Sequence, residues 1–246
     1  GERHHKFMSA EKVRCHVIAI AQETRESFSV HELSSGHDFR FVLPGPLVSE
    51  AEYQACYDYI AAHLPKKFLV ISGGLAPGVP VDFYARLIAP AKQHQVRVVL
   101  DANGPALHTA LREGVFLFKP SLRELRELTG QALPDEASWV EACQQLIHTG
   151  QAEVVALSLG EDGAMVISKN QSWRSPGLKV DVHTTIGAGD SFVGGMVWAF
   201  SQEHNMLKAF QYGMAAGAAA LLGTGTSLCQ AHDVHGLLPQ VVVHAV

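Results

Sequence analysis

The chain has 246 residues, of which 47% are hydrophobic and 17% charged, and its 19 Lys and Arg against 24 Asp and Glu give a formal net charge of −5. That length fits one large domain, or one domain with a small appendage, and the acidic balance argues against a nucleic-acid-binding or anionic-membrane surface. No apolar run approaches the roughly 20 residues that span a bilayer and no secretory signal is visible, so a cytoplasmic protein is expected.

The chain opens Gly1-Glu2-Arg3, and its first element is expected at residues 13–20, "VRCHVIAI", as a strand. "FSVHEL" (28–33) and "FRFVLPG" (39–45) flank "SSGHD", two alternating runs joined by a turn containing Gly36, which predicts a hairpin. Ser49 followed three residues later by Glu52 is a capping box, and it predicts a helix over 49–63.

From there strands and helices alternate. "FLVIS" (68–72) is a short apolar run before Gly73-Gly74, and a helix over 82–94 is expected to follow, capped by Asp82. "VRVVLDA" (96–102) and "VFLFKP" (115–120) are the next strands; the helices after them stop at Gly114 and Gly130. Residues 135–149 predict a helix ended by Gly150, "EVVALSLG" (153–160) a further strand, and "GAMVIS" (163–168) with "SWRSP" a β-meander. Two closing helices are expected over 190–203 and 206–222. Apolar strands alternating with helices imply a parallel sheet covered on both faces. Residues 1–45 stand outside that alternation and read as a small separate sheet attached to an α/β domain over 46–246.

The cysteines at positions 15, 56, 143 and 229 lie far apart and form no Cys-x-x-Cys pair. They read as reduced, mostly buried thiols and not as a zinc or redox site. The 14 histidines contain no His-Glu-x-x-His and read as scattered residues.

Ligands of such sheets sit beyond the carboxyl ends of the strands. Gly73-Gly74, Asp101-Ala102-Asn103-Gly104, Lys119-Pro120-Ser121 and Ser158-Leu159-Gly160 all fall there. Singly, each has a plainer reading: a turn capping a helix, a solvated Glu124, a β-turn closed at Gly163, an Asp101 that forms a turn. Their joint placement on one edge of one sheet is the stronger signal.

The stretch "HTTIGAGDSF" (183–192) is the most informative. Gly187, Ala188 and Gly189 let backbone N–H groups approach a ligand, and the first N–H groups of a helix lack internal partners and sit at the positive end of its dipole, so together they suit an anion. Asp190 then falls in the first turn. A carboxylate beside an anion cradle makes sense when the anion is a phosphoryl group in transfer, with Asp190 taking the proton of an attacking hydroxyl and the N–H groups of residues 188–190 stabilising the transferred group. The alternative is an aspartate cap after a glycine loop. Neither Gly-x4-Gly-Lys-Ser/Thr nor Gly-x-Gly-x-x-Gly occurs.

"TTIGAGDSFVGGM" resembles the C-terminal signature of the ribokinase-like (PfkB) carbohydrate kinases, and "LVISGGLAPGVP", "LDANGPAL", "FKPSLREL", "SLGEDGAM" and "AAGAAALLGTGTSL" follow that family's order over essentially the whole chain. Within the family the likeness is greatest to the bacterial 6-phosphofructokinases. The resemblance implies an α/β fold, a three-layer αβα sandwich with a mainly parallel sheet and a small β-sheet lid. It implies phosphoryl transfer from ATP to a phosphorylated hexose, foremost fructose 6-phosphate, with tagatose 6-phosphate, fructose 1-phosphate or a nucleoside as alternatives.

In that reading Asp190 is the catalytic base, and Gly187, Ala188 and Gly189 build the anion hole. Lys119, Ser121, Ser158, Gly160 and Gly163 lie by the ATP phosphates and ribose, while the tail with Gly213 and Gly217 borders the adenine. Glu124 organises Mg²⁺ through water. Arg25, in "ETRES", grips the sugar phosphate, and Asn103 lies on the sugar side. The lid would also form a homodimer contact. Ser121 and Ser27 stand where the family usually has Asn, and Gly1-Glu2 aligns inside the family pattern, roughly two βαβ units from its start. A nucleotide-binding or pairing fragment without catalysis is the competing expectation.

Overall fold

The computed structural model describes residues 1–32, 34–35, 38–225 and 227–246. The turn expected around Gly36, together with Leu33 and Thr226 of the quoted motifs, therefore lies outside the described residues. The chain divides into two compact units, Gly1–His63 with Leu75–Phe83, and Leu64–Gly74 with Tyr84–Val246.

The first unit contains α1 (Glu2–Ala10), β1 (Ser27–His31), β2 (Asp38–Val42) and α2 (Glu50–Ala62). β1 and β2 pair antiparallel, with Phe28 opposite Phe41 and Val30 opposite Phe39, as the alternation predicts. Ser49 and Glu52 form the expected capping box at the start of α2. The strand expected over 13–20 is not one: the segment has no regular secondary structure and joins no ladder among the described residues, and α1 precedes it unforeseen. Side-chain contacts to α2 hold it instead. His16 stacks on Tyr59 with ring centroids 3.4 Å apart, and the Ala21 N–H donates to Glu52 Oε1. Those N–H donors to its carboxylate, from Ser49 and Ala21, hold Glu52 below its ordinary pKa.

The second unit holds a seven-stranded sheet in sequence order: β3 (Phe68–Ser72), β4 (Arg97–Asp101), β5 (Val115–Phe118), β6 (Ala152–Ser158), β7 (Ala164–Ser168), β8 (Ser172–Ser175) and β9 (His244–Ala245). β3 to β6 are parallel, and β6 to β9 antiparallel. Between them run α3 (Phe83–Gln93), α4 (Pro105–Arg112), α5 (Leu122–Thr129) and α6 (Glu136–His148), followed by α7 (Ala188–Ser201), α8 (Met206–Leu221) and α9 (Ala231–Leu237). The meander was expected; α9 and β9 were not, because each is too short for a period to show.

Register explains the layers. Val99, Leu117 and Val154 are successive partners and join one buried cluster with Phe192, Met196 and Phe210 of α7 and α8. Leu100, Phe118 and Val155 alternate with them, so they face the other side, and each is fully buried there. Both faces are thus covered. All four cysteines are free, but only Cys143 is buried; Cys56 and Cys229 are half-buried and Cys15 is exposed, so "mostly buried" is corrected. Among the described residues no helix is long and apolar enough to cross a membrane.

Candidate active site

Parallel strands in register bring their carboxyl-terminal residues onto one line. Ser72 is the partner of Asp101, and Leu100 the partner of Phe118, so Lys119 follows at the same level. Ser158 comes next, bridged to Ser121 and donating its N–H to Pro120 O at 2.9 Å. Asp101 and Lys119 form an ion pair of 3.1 Å with little solvent access. Burial raises the Asp101 carboxyl above its ordinary pKa; Lys119 opposes that shift, and the nearby charges of Asp190 and Glu124 add to it.

The loop before α7 arrives over this line. Thr184 is buried, donating to Gly225 O at 3.0 Å, while its hydroxyl accepts the Ile186 N–H at 3.2 Å. Gly187 caps α7 with φ +80°, a left-handed conformation that favours glycine. The first bond of the helix runs from Ser191 N to Gly187 O at 2.8 Å, so the N–H groups of Ala188, Gly189 and Asp190 precede it and have no partner within the helix. The helix starts two residues earlier than the sequence predicts. A Cβ on Gly189 would stand 3.7 Å from Lys119 Nζ, which places the ammonium beside the helix start.

A cavity of about 470 Å³ opens here, with Lys119, Ser158, Gly160, Gly163, Ala188, Gly189 and Gly217 among its lining residues. Leu178, Val182, Met214 and Leu221 are among its apolar lining residues. A cavity of this size, lined by both polar and apolar residues, suits a drug-sized ligand. Asp190 faces elsewhere. Its carboxylate lines a second cavity of about 320 Å³ with Ser72, Asp101 and an apolar floor of Val70, Val193, Val197 and Trp198. The Ser72 hydroxyl donates to Asp190 Oδ1 at 3.4 Å. At the start of α7, Ala188 and Gly189 therefore line one cavity and Asp190 the other.

The remaining expected residues are placed as follows. Ser121 is the N-cap of α5, and Glu124 Oε2 accepts both its N–H and its hydroxyl at 2.8 Å; neither residue lines the larger cavity. Asn103 is exposed, with its amide oxygen 3.4 Å from where a Cβ of Gly74 would be. Arg25 belongs to the first unit, where its guanidinium donates to Leu43 O at 3.4 Å. Gly213 is buried between α8 and α7; a Cβ there would stand 2.6 Å from Met196 Cγ, so its observed contact is helix packing, whereas Gly217 reaches the cavity. Sequence reasoning gave no role to Ser72 or Thr185, which line the two cavities; Ser72 was within reach of the strand-end rule, because it closes "FLVIS".

Among the described residues no group of three or more His, Cys, Asp or Glu is placed to hold a metal by itself. Mg²⁺, however, is commonly bound through one or two carboxylates with substrate phosphates and waters completing its shell. Asp190 and Glu124 each lie close enough to Asp101 for their charge to raise its carboxyl pKa.

Comparison with known proteins gives the family. The profile of the pfkB family carbohydrate kinases matches residues 1–233. An ATP-dependent 6-phosphofructokinase isozyme 2 of Mycobacterium tuberculosis is 40% identical over 219 residues, covering 89% of this chain and 64% of that protein; the protein of the same name from Escherichia coli is 33% identical, covering 95% and 75%. A 1-phosphofructokinase of Borreliella burgdorferi is 30% identical, covering 92% and 72%. The crystal structure of phosphofructokinase-2 from Escherichia coli in complex with substrates and products superimposes with a TM-score of 0.93 at 31% identity, over 98% of this chain and 78% of that one. The chain thus spans somewhat under two thirds of the mycobacterial relative's length. A glycine-started helix with an aspartate in its first turn, set at the carboxyl edge of this sheet, and a profile match running nearly the whole chain make it a member of the pfkB family of carbohydrate kinases.

Proposed function

We propose that the chain works as an ATP-dependent sugar-phosphate kinase, moving the γ-phosphoryl group of Mg-ATP to a hydroxyl of a phosphorylated hexose. The observation that supports this reading is the division made at the start of α7, with Ala188, Gly189 and Lys119 lining the larger cavity and Asp190 the smaller one. A phosphoryl donor on one side and a hydroxyl acceptor on the other would meet at Gly189-Asp190.

In this mechanism the nucleotide phosphates lie against Lys119 and the N–H groups of residues 188–190, and the adenine lies against the apolar lining residues. Gly187 shapes the turn that exposes those groups. Ser158, Gly160 and Gly163 form the wall beside the ribose. Asp190 accepts the proton of the acceptor hydroxyl as its oxygen bonds to the γ-phosphorus and the bond to the β-bridging oxygen breaks, leaving ADP. Lys119 and the N–H groups hold the charge of the transferred group. Three carboxylates against one ammonium leave the site acidic, which suits a phosphate chain carried with Mg²⁺; Glu124, Asp101 and Asp190 would hold the ion directly or through water, and the ion would supply charge neutralisation on the phosphates. Arg25 would bind the sugar's phosphate, because a guanidinium matches phosphate oxygens in pairs, with Asn103 beside the sugar.

Fructose 6-phosphate is the first acceptor to test. The 1-phosphofructokinase relative, and a D-tagatose-1-phosphate kinase of Bacillus licheniformis at 31% identity, make fructose 1-phosphate and tagatose phosphates the next. The face of β1 and β2 that carries Phe28, Val30, Phe39 and Phe41 is exposed, with Phe28 and Phe41 stacked at 5.0 Å. An apolar patch of this kind suits a second copy, hence a homodimer through the lid. Four free thiols suit the cytoplasm.

The deciding experiment is ADP release from Mg-ATP with fructose 6-phosphate, against a no-sugar blank and Asp190→Asn. Sugar-dependent turnover, reduced by about 10²–10⁴ in the variant with nucleotide affinity retained, is expected. Turnover that survives in Asp190→Asn sinks the base assignment. Nucleotide binding with no turnover for any phosphohexose overturns the transfer reading.

A further inference from the structure

Part of the wall of the larger cavity is the Gly160–Gly163 turn, closed on itself by the Leu159 N–H donating to Gly163 O at 2.8 Å. Gly160 and Gly163 adopt φ +65° and +94°, and the turn lies directly on the chain after β8. A Cβ on Gly163 would collide with Ser175 O and stand 2.5 Å from Gly177 N, and one on Gly177 would collide with Glu161 O. Two backbone segments pressed this closely leave carbonyls that need donors.

One side chain supplies them. Arg174 donates through Nη2 to Asp162 O at 2.6 Å, and through Nη1 to Ser175 O and to Ala164 O, the last at 3.4 Å. Its guanidinium thus joins carbonyls from both segments. Arg174 Nε is buried and makes no hydrogen bond among the described residues; Glu136 Oε2, in the first turn of α6, stands 3.6 Å away as an ion-pair partner. A planar fork of donors meets three carbonyls in a way that lysine cannot. Arg174 is not among the cavity-lining residues. It touches the turn, and the turn's residues Gly160, Glu161 and Gly163, with Gly177, form the wall.

We infer that Arg174 is a positioning residue for nucleotide affinity, clamping the Gly160–Gly163 turn against Ser175–Gly177 so that the wall is set before the ligand arrives. This rests on the reading of the larger cavity as the nucleotide site. A preset wall avoids the ordering cost that a loose turn would charge against binding, so its loss should act on ATP and spare the acceptor and the proton transfer at Asp190.

The test uses Arg174→Gln and Arg174→Lys in the whole chain, with Mg-ATP titrated by calorimetry and backbone amide exchange followed over residues 158–164. Arg174→Gln is expected to weaken Mg-ATP binding about tenfold, to raise the KM for ATP similarly, and to leave kcat at saturating ATP within about threefold. Amide exchange in the turn should quicken while the melting temperature hardly moves. Arg174→Lys, with charge but no fork, should fall between, and it decides the matter if the glutamine variant does not fold. Unchanged ATP affinity, or losses shared equally by ATP affinity, acceptor affinity and kcat, would overturn the inference. If the parent protein binds no Mg-ATP, the nucleotide reading fails; the clamp is then judged on exchange alone, and unaltered exchange in Arg174→Gln rejects it.

Discussion

Lys119 Nζ and Asp101 Oδ1 stand 3.1 Å apart at the ends of neighbouring strands, both largely withdrawn from water. Asp101 nevertheless keeps a raised pKa, because burial outweighs the attraction of the ammonium. A raised folded-state value means that the group's contribution is fully present below the ordinary carboxylate pKa and is lost as pH rises through the folded value. At neutral pH the pair therefore serves position more than stability.

Removing one partner should then hurt more than removing both. Asp101→Asn leaves a buried ammonium and is expected to cost about 3–5 kcal/mol at neutral pH. The double variant Asp101→Asn, Lys119→Met should recover most of that loss, since an apolar replacement of a buried pair is often neutral or better, yet its nucleotide affinity should stay low. Chemical denaturation and nucleotide titration of the same samples check both halves. A double variant that regains affinity would show that Lys119 does not meet the ligand.

The glycines of α7 and α8 separate packing from binding. A Cβ on Gly213 would meet Met196 Cγ at 2.6 Å and Phe192 O at 3.1 Å. Gly213→Ala should destabilise by about 1–2 kcal/mol net, overpacking exceeding the gain in helix propensity, with the KM for ATP unchanged. A Cβ on Gly194, on the same helix as Asp190, has nothing within 4 Å, so Gly194→Ala should stabilise by up to about 1 kcal/mol. Thermal melts of the two variants should move in opposite directions.

Ser121 can be tested as a cap independently of any metal. Its hydroxyl accepts the Glu124 N–H at 3.2 Å and donates to Glu124 Oε2 at 2.8 Å. Ser121→Ala should cost about 1 kcal/mol and Ser121→Asn only a few tenths, as N-cap preferences rank them. If Glu124 meets Mg²⁺ through water, the alanine variant, which frees the carboxylate from the hydroxyl, should shift the Mg²⁺ concentration for half-maximal activity. An unmoved Mg²⁺ profile would confine Glu124 to the capping box.

What the sequence made legible follows from where its signals lie. Strands such as "VRVVLDA" and "EVVALSLG" stand out because both faces are buried, which leaves a continuous apolar run, and the strand ends place Ser72, Asp101, Lys119 and Ser158 together by register alone. Residues 13–20 misled because an apolar run says nothing of whether a ladder partner exists; His16 and Ala21 found α2 instead. Gly213 and Gly217 lie four apart on one helix face, so sequence could not tell the one packed on Met196 from the one at the cavity. Arg174 left no pattern, since its partners are backbone carbonyls that carry no residue identity.

The open side of β3 gives the last prediction. β3 ends the seven-stranded sheet and has no strand beyond it among the described residues. Val70 on that strand is 44% exposed and Trp198 on α7 is 47% exposed, and both line the apolar floor next to Asp190. An unpaired edge beside exposed apolar side chains invites pairing with another strand. The chain studied by itself should therefore associate as its concentration rises, by sedimentation or light scattering, and Val70→Lys should suppress that association, because a lysine on an edge strand opposes strand addition. The substitution lies on the floor of the Asp190 cavity but away from Lys119 and the N–H groups of α7, so Mg-ATP affinity should hold. Association that persists unchanged in Val70→Lys, but disappears in Phe28→Lys, would move the contact from this edge to the face of β1 and β2.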